Sequence, residues 1–282
     1  MLVTVPVVKK LSLAAAAVVA SATALLVATP AVALAGLVVV QSTTFGPTPG
    51  GLYYAEATCP AGTRLTGGGA RLSNGTATVS AAVPSFGNDT LWSAAGLGNG
   101  NPFTAITAYG ICASGMSGYQ TVRAEHLPPA GSFMAAATAT CPVGKRVIGG
   151  GGSNAGQPGY VLDGIWISPD LTSVFVRTLR TPSASPDTAP YAVAVAICID
   201  PVPGQQRVMA ATQSSTGTTK TISVSCPFGT RLHGLGGMLG GGAGQVGLQS
   251  LNPTNASVTA RVLAGTNYQG AWRVEAYGVC AQ

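Results

Sequence analysis

The sequence predicts an all-β protein built from three tandem, pseudo-symmetric, disulfide-stapled repeats, and three observations predict it. One motif, CPxGxRxxGxG, is written three times; six cysteines fall at matching places; and charge is scarce. Charged residues are 8% of the chain, against about 25% in ordinary globular domains. Gly accounts for 39 of 282 residues, and 46% of residues are hydrophobic. A disordered chain needs low hydrophobicity and high net charge, and a helical bundle needs Glu, Lys, Arg and Leu on its faces. Both classes are excluded.

The elements follow in chain order. Met1 opens a short cationic stretch ending in Lys9 and Lys10, and an apolar run from Leu11 to Val27 follows. Small-residue sites at Ala31-Val32-Ala33 and Ala33-Leu34-Ala35 complete the pattern of a secretory signal peptide over residues 1–35. An uncleaved anchor is the alternative, since the run is long enough to span a bilayer if Ser12, Ser21 and Thr23 are tolerated. No second apolar span of about 20 residues follows Val40, so the mature chain is expected outside the cell and off the membrane. Removing Lys9 and Lys10 lowers the net charge from +6 to about +4. The remaining cations are scattered singly, whereas a nucleic-acid binder gathers them into a stripe.

Three repeats fill the rest: 36–118, 119–203 and 204–282. The motif copies begin at Cys59, Cys141 and Cys226 and run to Gly69, Gly151 and Gly236. The third carries Leu235 where the others have Gly. Each repeat closes on a second cysteine in a strand-like segment: Ile106–Cys112, Ala192–Cys198 and Arg273–Cys280. Pro84, Pro169 and Pro253 each end a short apolar run, 25, 28 and 27 residues after the first cysteine. Alternation and β-branched content mark strands at Thr76–Val83, Ser173–Arg177, Lys220–Ser225 and Ala256–Val262. Leu37–Thr43, Gln120–Glu125 and Gln206–Thr212 open the repeats, giving about six strands per unit. Runs such as Gly149–Gly152 and Gly240–Gly244 are expected where strands bend at corners, through positive φ or close backbone approach.

An even cysteine count in an exported chain reads as a disulfide framework, and six cysteines allow 15 pairings. Threefold repetition leaves two symmetric solutions. One bonds Cys59 to Cys112, Cys141 to Cys198 and Cys226 to Cys280; the other is a belt of Cys112 to Cys141, Cys198 to Cys226 and Cys280 to Cys59. The first is preferred, because each repeat then closes its own loop. Metal ligation is disfavoured by the lack of CxxC and His partners at zinc spacing.

CPxG reads as a turn, with Pro at its second position and Gly supplying the unusual φ. The recurring Arg64, Arg146 and Arg231 are expected to be solvent-exposed, their stems packing across a strand face. Alternation puts Arg64 on the side of Gly62 and Thr66.

The CPxGxRxxGGG strand, the central Pro and the closing YGxC or AxC strand resemble an uncharacterised domain common in secreted actinobacterial proteins, in three copies over the mature chain. A weaker likeness is to vitelline membrane outer layer protein, whose repeats carry a CPxG turn and closing cysteines. That resemblance implies a β-prism, with three sheets packed around a common axis. Three small β-sandwich units in tandem are the alternative, with Pro201–Gly204 as a linker.

Little in the sequence points to catalysis. The acidic residues Glu56, Asp89, Glu125, Asp163, Asp170, Asp187, Asp200 and Glu275 form no carboxylate pair at matching repeat positions. His126 and His233 have no recognisable catalytic context, and no GxSxG elbow is present. Gly242–Gly247 matches GxGxxG formally but lacks a following helix and an acidic ribose ligand. No cofactor or metal is expected. Sequons at Asn74, Asn88 and Asn255 would matter only in a host that glycosylates.

Aromatic residues are the remaining candidates, since flat rings with polar neighbours suit sugars. Trp166 and Trp272 read as core, whereas Tyr53, Tyr54, Trp92 and Tyr119 lie nearer to loops and are the candidate ligand contacts. The expected function is a non-catalytic binding module for extracellular or cell-envelope polysaccharide. The alternatives are a structural coat or matrix protein and, third, an enzyme or enzyme inhibitor.

Overall fold

The computed structural model describes residues 33–282 apart from residues 50, 74–76, 99, 186 and 266. The signal segment up to residue 32 and the Asn74 sequon therefore lie outside the described residues. The described residues form strands, turns and loops, with no helix among them.

Each repeat supplies six strands. The first gives β1 (Ala35–Phe45), β2 (Leu52–Thr58), β3 (Arg64–Leu72), β4 (Thr78–Pro84), β5 (Leu91–Leu97) and β6 (Ala105–Ser114). The second gives β7 (Gln120–His126), β8 (Met134–Thr140), β9 (Arg146–Ser153), β10 (Tyr160–Ile167), β11 (Ser173–Arg180) and β12 (Ala192–Ile199). The third gives β13 (Gln206–Ala211), β14 (Thr219–Ser225), β15 (Arg231–Gly241), β16 (Val246–Pro253), β17 (Ser257–Ala264) and β18 (Trp272–Ala281). Inward positions alternate where the pleat leaves one face wet: Ala135, Ala137 and Ala139 of β8 are buried between exposed or half-buried neighbours.

These strands build three six-stranded antiparallel sheets, and no sheet belongs to a single repeat. The first sheet runs β1-β6-β3-β16-β17-β14, the second β2-β5-β4-β9-β12-β7 and the third β13-β18-β15-β10-β11-β8. Every repeat thus splits into two three-stranded halves, each joined edge to edge with a half from a neighbour. The seams are short: Ala70 and Arg71 pair with Leu251 and Ser250, Ala81 and Ala82 with Ser153 and Gly152, and Gly164 and Ile165 with Met238 and Gly237. Tandem sandwiches are therefore not the arrangement. The sheets close around a pseudo-threefold axis as a β-prism, and buried apolar residues of all three repeats form one core.

Bulges at equivalent places bring the chain onto that axis. Pairing slips by one residue at Thr66, Ile148 and His233, and all three side chains are buried. The following glycines interlock in a cycle. Gly67 faces the His233 carbonyl, Gly234 the Ile148 carbonyl and Gly149 the Thr66 carbonyl, each too close to admit a Cβ. Thr66 Oγ1 donates to the His233 carbonyl at 2.8 Å, tying two repeats together in the dry interior. The glycine run at 149–152 accordingly serves close approach, Gly149 to the Thr66 carbonyl on the axis and Gly151 to the Ala82 carbonyl at the seam. The later glycines 241, 242 and 244 have positive φ and form a turn. The bulge also explains why Thr66 is buried although Arg64 is exposed: alternation fails at the extra residue.

The disulfides join Cys59 to Cys112, Cys141 to Cys198 and Cys226 to Cys280, with Cα separations of 5.7, 5.7 and 5.6 Å. In every case the bond links the end of the turn-bearing strand to the closing strand, so the two half-sheets of one repeat are pinned together. Three such bonds belong to an oxidising compartment.

Two local expectations are corrected. The CPxG turn closes from the Thr63, Lys145 and Thr230 amides to the Pro60, Pro142 and Pro227 carbonyls, so Pro is its first residue. Gly62, Gly144 and Gly229 then stand third with φ of 81°, 86° and 82°, as a type II turn requires. Pro169 also departs from the repeat. Ser85, Ser168 and Thr254 donate equivalent amides across their hairpins, which places Ile167 opposite Pro84 and Pro253 in the repeat and Pro169 two residues later.

Candidate functional site: a groove on the second sheet

The hairpin between β4 and β5 makes this site. Its amide bonds from Ser85 to Leu91 and from Asn88 to Ser85 tighten the loop, and Asn88 Oδ1 accepts from the Thr90 amide and hydroxyl at 2.9 and 2.8 Å. Phe86 is consequently pushed into solvent, 85% exposed. Arg123 of β7 lies over its ring at 5.1 Å and is held by Glu125 at 2.5 Å. On the other side of the loop, Arg64 pairs with Asp89 at 3.2 Å and stacks over Tyr119 at 5.3 Å. A groove of about 550 Å³ runs between these residues.

An adjoining recess of about 310 Å³ shares Pro84, Ser85, Phe86 and Arg123 with the groove and ends at Tyr54. The Tyr54 hydroxyl donates to Glu56 and shares a hydrogen bond with Ser93 Oγ at 3.2 Å. Ser93 donates to Glu56 at 3.2 Å, and Ser85 and Ser93 are themselves hydrogen-bonded. Partial burial, then the Glu56 carboxylate, raise the Tyr54 pKa, so the phenol stays a donor. The Tyr119 hydroxyl is buried and finds no hydrogen-bond partner among the described residues. Burial first and Asp89 second push its pKa up, against the opposing pull of Arg64. The surface therefore offers ring faces, two guanidinium groups and a cluster of hydroxyl and carboxylate oxygens, a set matched to a polyhydroxylated ring.

Two of the four candidate aromatics meet here, and two do not. Tyr54 and Tyr119 line the connected recess and groove. Tyr53 points the opposite way from its neighbour, is fully buried beside Ala55 and Ala57, and donates to the Asn101 carbonyl at 2.9 Å. Trp92 is also fully buried, its Nε1 donating to the Gly69 carbonyl at 3.0 Å. Both are core residues, because their strands present those positions to the prism interior. Phe86, Arg64, Asp89 and Arg123 are site residues that sequence reasoning missed. The signal for Phe86 was its place in the turn-rich stretch Pro84–Asp89.

The other singled-out residues lie elsewhere. Trp272 is in the core, with Nε1 donating to Gly217 at 2.9 Å. Trp166, expected in the core, is only half-buried and sits on the outer face of the third sheet. His126 is exposed on the strand β7, while His233 is enclosed at the axis with Nδ1 unpartnered among the described residues. Burial, then the Arg231 charge, lower the His233 pKa to about 4.

No protein-family model and no curated protein matches the sequence. Among the described residues no helix is long and apolar enough to cross a membrane.

Proposed function

We propose that this chain is a secreted, non-catalytic binding module for extracellular or cell-envelope polysaccharide, held through the groove on the second sheet. The observation that carries this reading is the pairing of an almost fully exposed Phe86 with Arg123 beside the Tyr54–Glu56–Ser93 oxygen cluster. A sugar presents an apolar ring face edged by hydroxyls, and stacking plus charge-assisted hydrogen bonds recognise both features. The signal-peptide pattern and the three disulfides support export.

The test is retention on a panel of immobilised polysaccharides. Wild-type protein is expected to bind at least one of them. Phe86→Ala is expected to weaken that binding about tenfold, the equivalent of roughly 1.4 kcal/mol. No retention on any glycan at millimolar concentration, or retention unchanged in Phe86→Ala, overturns the reading.

A second reading, a durable component of a coat or matrix, is favoured by the three staples and by sheets shared between repeats. It expects layers or multimers outside the cell, and a freely diffusing monomer counts against it.

A further inference from the structure

The three sheets place a cross-strand pair at the same seat beside each seam, and the pair differs from sheet to sheet. In the second sheet it is Val83 opposite Ser93, in the first Asn252 opposite Thr259, and in the third Trp166 opposite Phe175. Of these three seats, that of the third sheet is the one that carries two aromatic rings side by side. A groove of about 440 Å³ opens over them, flanked by Arg177 and Arg273.

Cations dominate this face. Arg177 is tied to the buried Asp163 at 2.5 Å and to the Leu239 carbonyl at 2.9 Å, which fixes it as part of the floor. Arg207 lies over the Tyr277 ring at 4.3 Å and the Trp166 ring at 5.5 Å, and its buried Nε has no hydrogen-bond partner among the described residues. Arg273 is on the rim with its side chain 52% exposed, donating to Glu275 at 3.0 and 2.9 Å. Three guanidinium groups therefore stand against two carboxylates. Tyr277 donates to Glu275, so that carboxylate already has both its oxygens engaged by this chain.

We propose that the outer face of the third sheet is a second binding site, and that it takes an acidic saccharide. The sugar ring stacks on Trp166 and Phe175, and a carboxylate or an ester sulfate on it meets the Arg273 guanidinium on the rim. Guanidinium groups match such oxyanions in a planar fork, and aromatic faces hold the ring. This site lies on a different sheet from the Phe86 groove, and it stands whether or not that groove binds a glycan.

The protein supplies its own probe. Trp92 and Trp272 are fully buried, so among the three tryptophans only Trp166 reaches solvent. Emission and acrylamide quenching of the intact protein are followed during titration with three oligosaccharides of equal length: a galacturonate, a sulfated and a neutral one. An acidic oligosaccharide is expected to shift the emission and shield Trp166, more weakly in high salt. Whichever acidic series responds identifies the anion. Arg273→Ala is expected to raise the dissociation constant about tenfold. Trp166→Phe is expected to abolish the optical change while calorimetry still detects binding. Arg261→Ala on the first sheet serves as the charge-matched control. Absence of any response, an equal response to the neutral series, or an equal loss in Arg261→Ala overturns the proposal.

Discussion

Gly68 lies directly beneath the indole of Trp92, so close that a Cβ on Gly68 would overlap the ring and the Tyr109 carbonyl. Trp92 pairs with Pro84 across its hairpin, and the residues in that place in the other repeats are Val174 and Val258. Val174 presses on Gly150 in the same way, whereas the third repeat has Leu235, fully buried, where a glycine would stand. The first repeat therefore sets a large ring above no side chain, whereas the third has a buried leucine in the glycine's place and a buried valine in the tryptophan's.

Gly68→Ala is expected to destabilise the protein by about 1–3 kcal/mol through overpacking, read by denaturant titration. Combining Gly68→Leu with Trp92→Val is expected to cost less than the two single changes added together, because each creates the space or filling that the other lacks. Additive costs would show that these sites do not share volume.

The shared sheets predict a single unfolding event. Residues 33–282 are expected to melt in one cooperative transition, while residues 119–203 alone, with Cys141 and Cys198 joined, are expected to show no dispersed amide spectrum. A lone repeat would leave β9 and β10 without the seam partners β4 and β15. A folded isolated repeat would refute this account.

Each disulfide closes a loop of similar length, with separations of 53, 57 and 54 residues. Replacing Cys141 and Cys198 together by Ser is expected to cost up to about 4 kcal/mol through the freed unfolded chain. For a chain of this size that lowers the melting temperature by on the order of 10 °C, measurable by calorimetry.

Two buried groups set opposing pH responses. His233 is neutral when folded, its pKa lowered from 6.5 to about 4 by burial and by Arg231. The unfolded chain therefore binds the extra proton first, and stability falls as pH drops from 6.5 to 4. Asp163 is raised from 3.8 to about 6 by burial, against the pull of Arg177. Here the folded chain takes the proton first, and stability rises as pH drops from 6 to 3.8. The two contributions therefore oppose each other between pH 6 and 4. Wild-type stability is expected to vary less over that range than in a variant that loses either group. Asp163→Asn is expected to expose a fall on acidification, and His233→Gln a rise; denaturant midpoints at several pH values decide it.

Tyr53 and Phe86 separate core from surface. Tyr53→Phe removes the hydrogen bond to the Asn101 carbonyl and is expected to cost about 1 kcal/mol of stability without altering glycan retention. Phe86→Ala is expected to do the reverse, because the ring is exposed. Paired melting and binding measurements check both.

The amino-acid sequence by itself determined the threefold repeat, the all-β character, the places of most strands and the set of cysteines, because these follow from local pattern and spacing. It did not determine which face of a strand points inward. Alternation is the signal for that choice, and this chain blurs it: all eight residues of β12 are buried, and both faces of many strands carry Ala, Val, Gly or Thr. Tyr53 and Tyr54 illustrate the loss, since only the packed sheet decides that one is core and the other groove. Tertiary structure alone decided that each repeat divides between two sheets, that the bulges at Thr66, Ile148 and His233 meet on the axis, and that Phe86, Arg123, Arg64 and Asp89 converge. The physical reason is that these relationships depend on approach between segments distant in the chain, about 80 residues or more at the bulges and about 25 to 40 in the groove, where a missing Cβ or a one-residue slip in pairing outweighs any local preference.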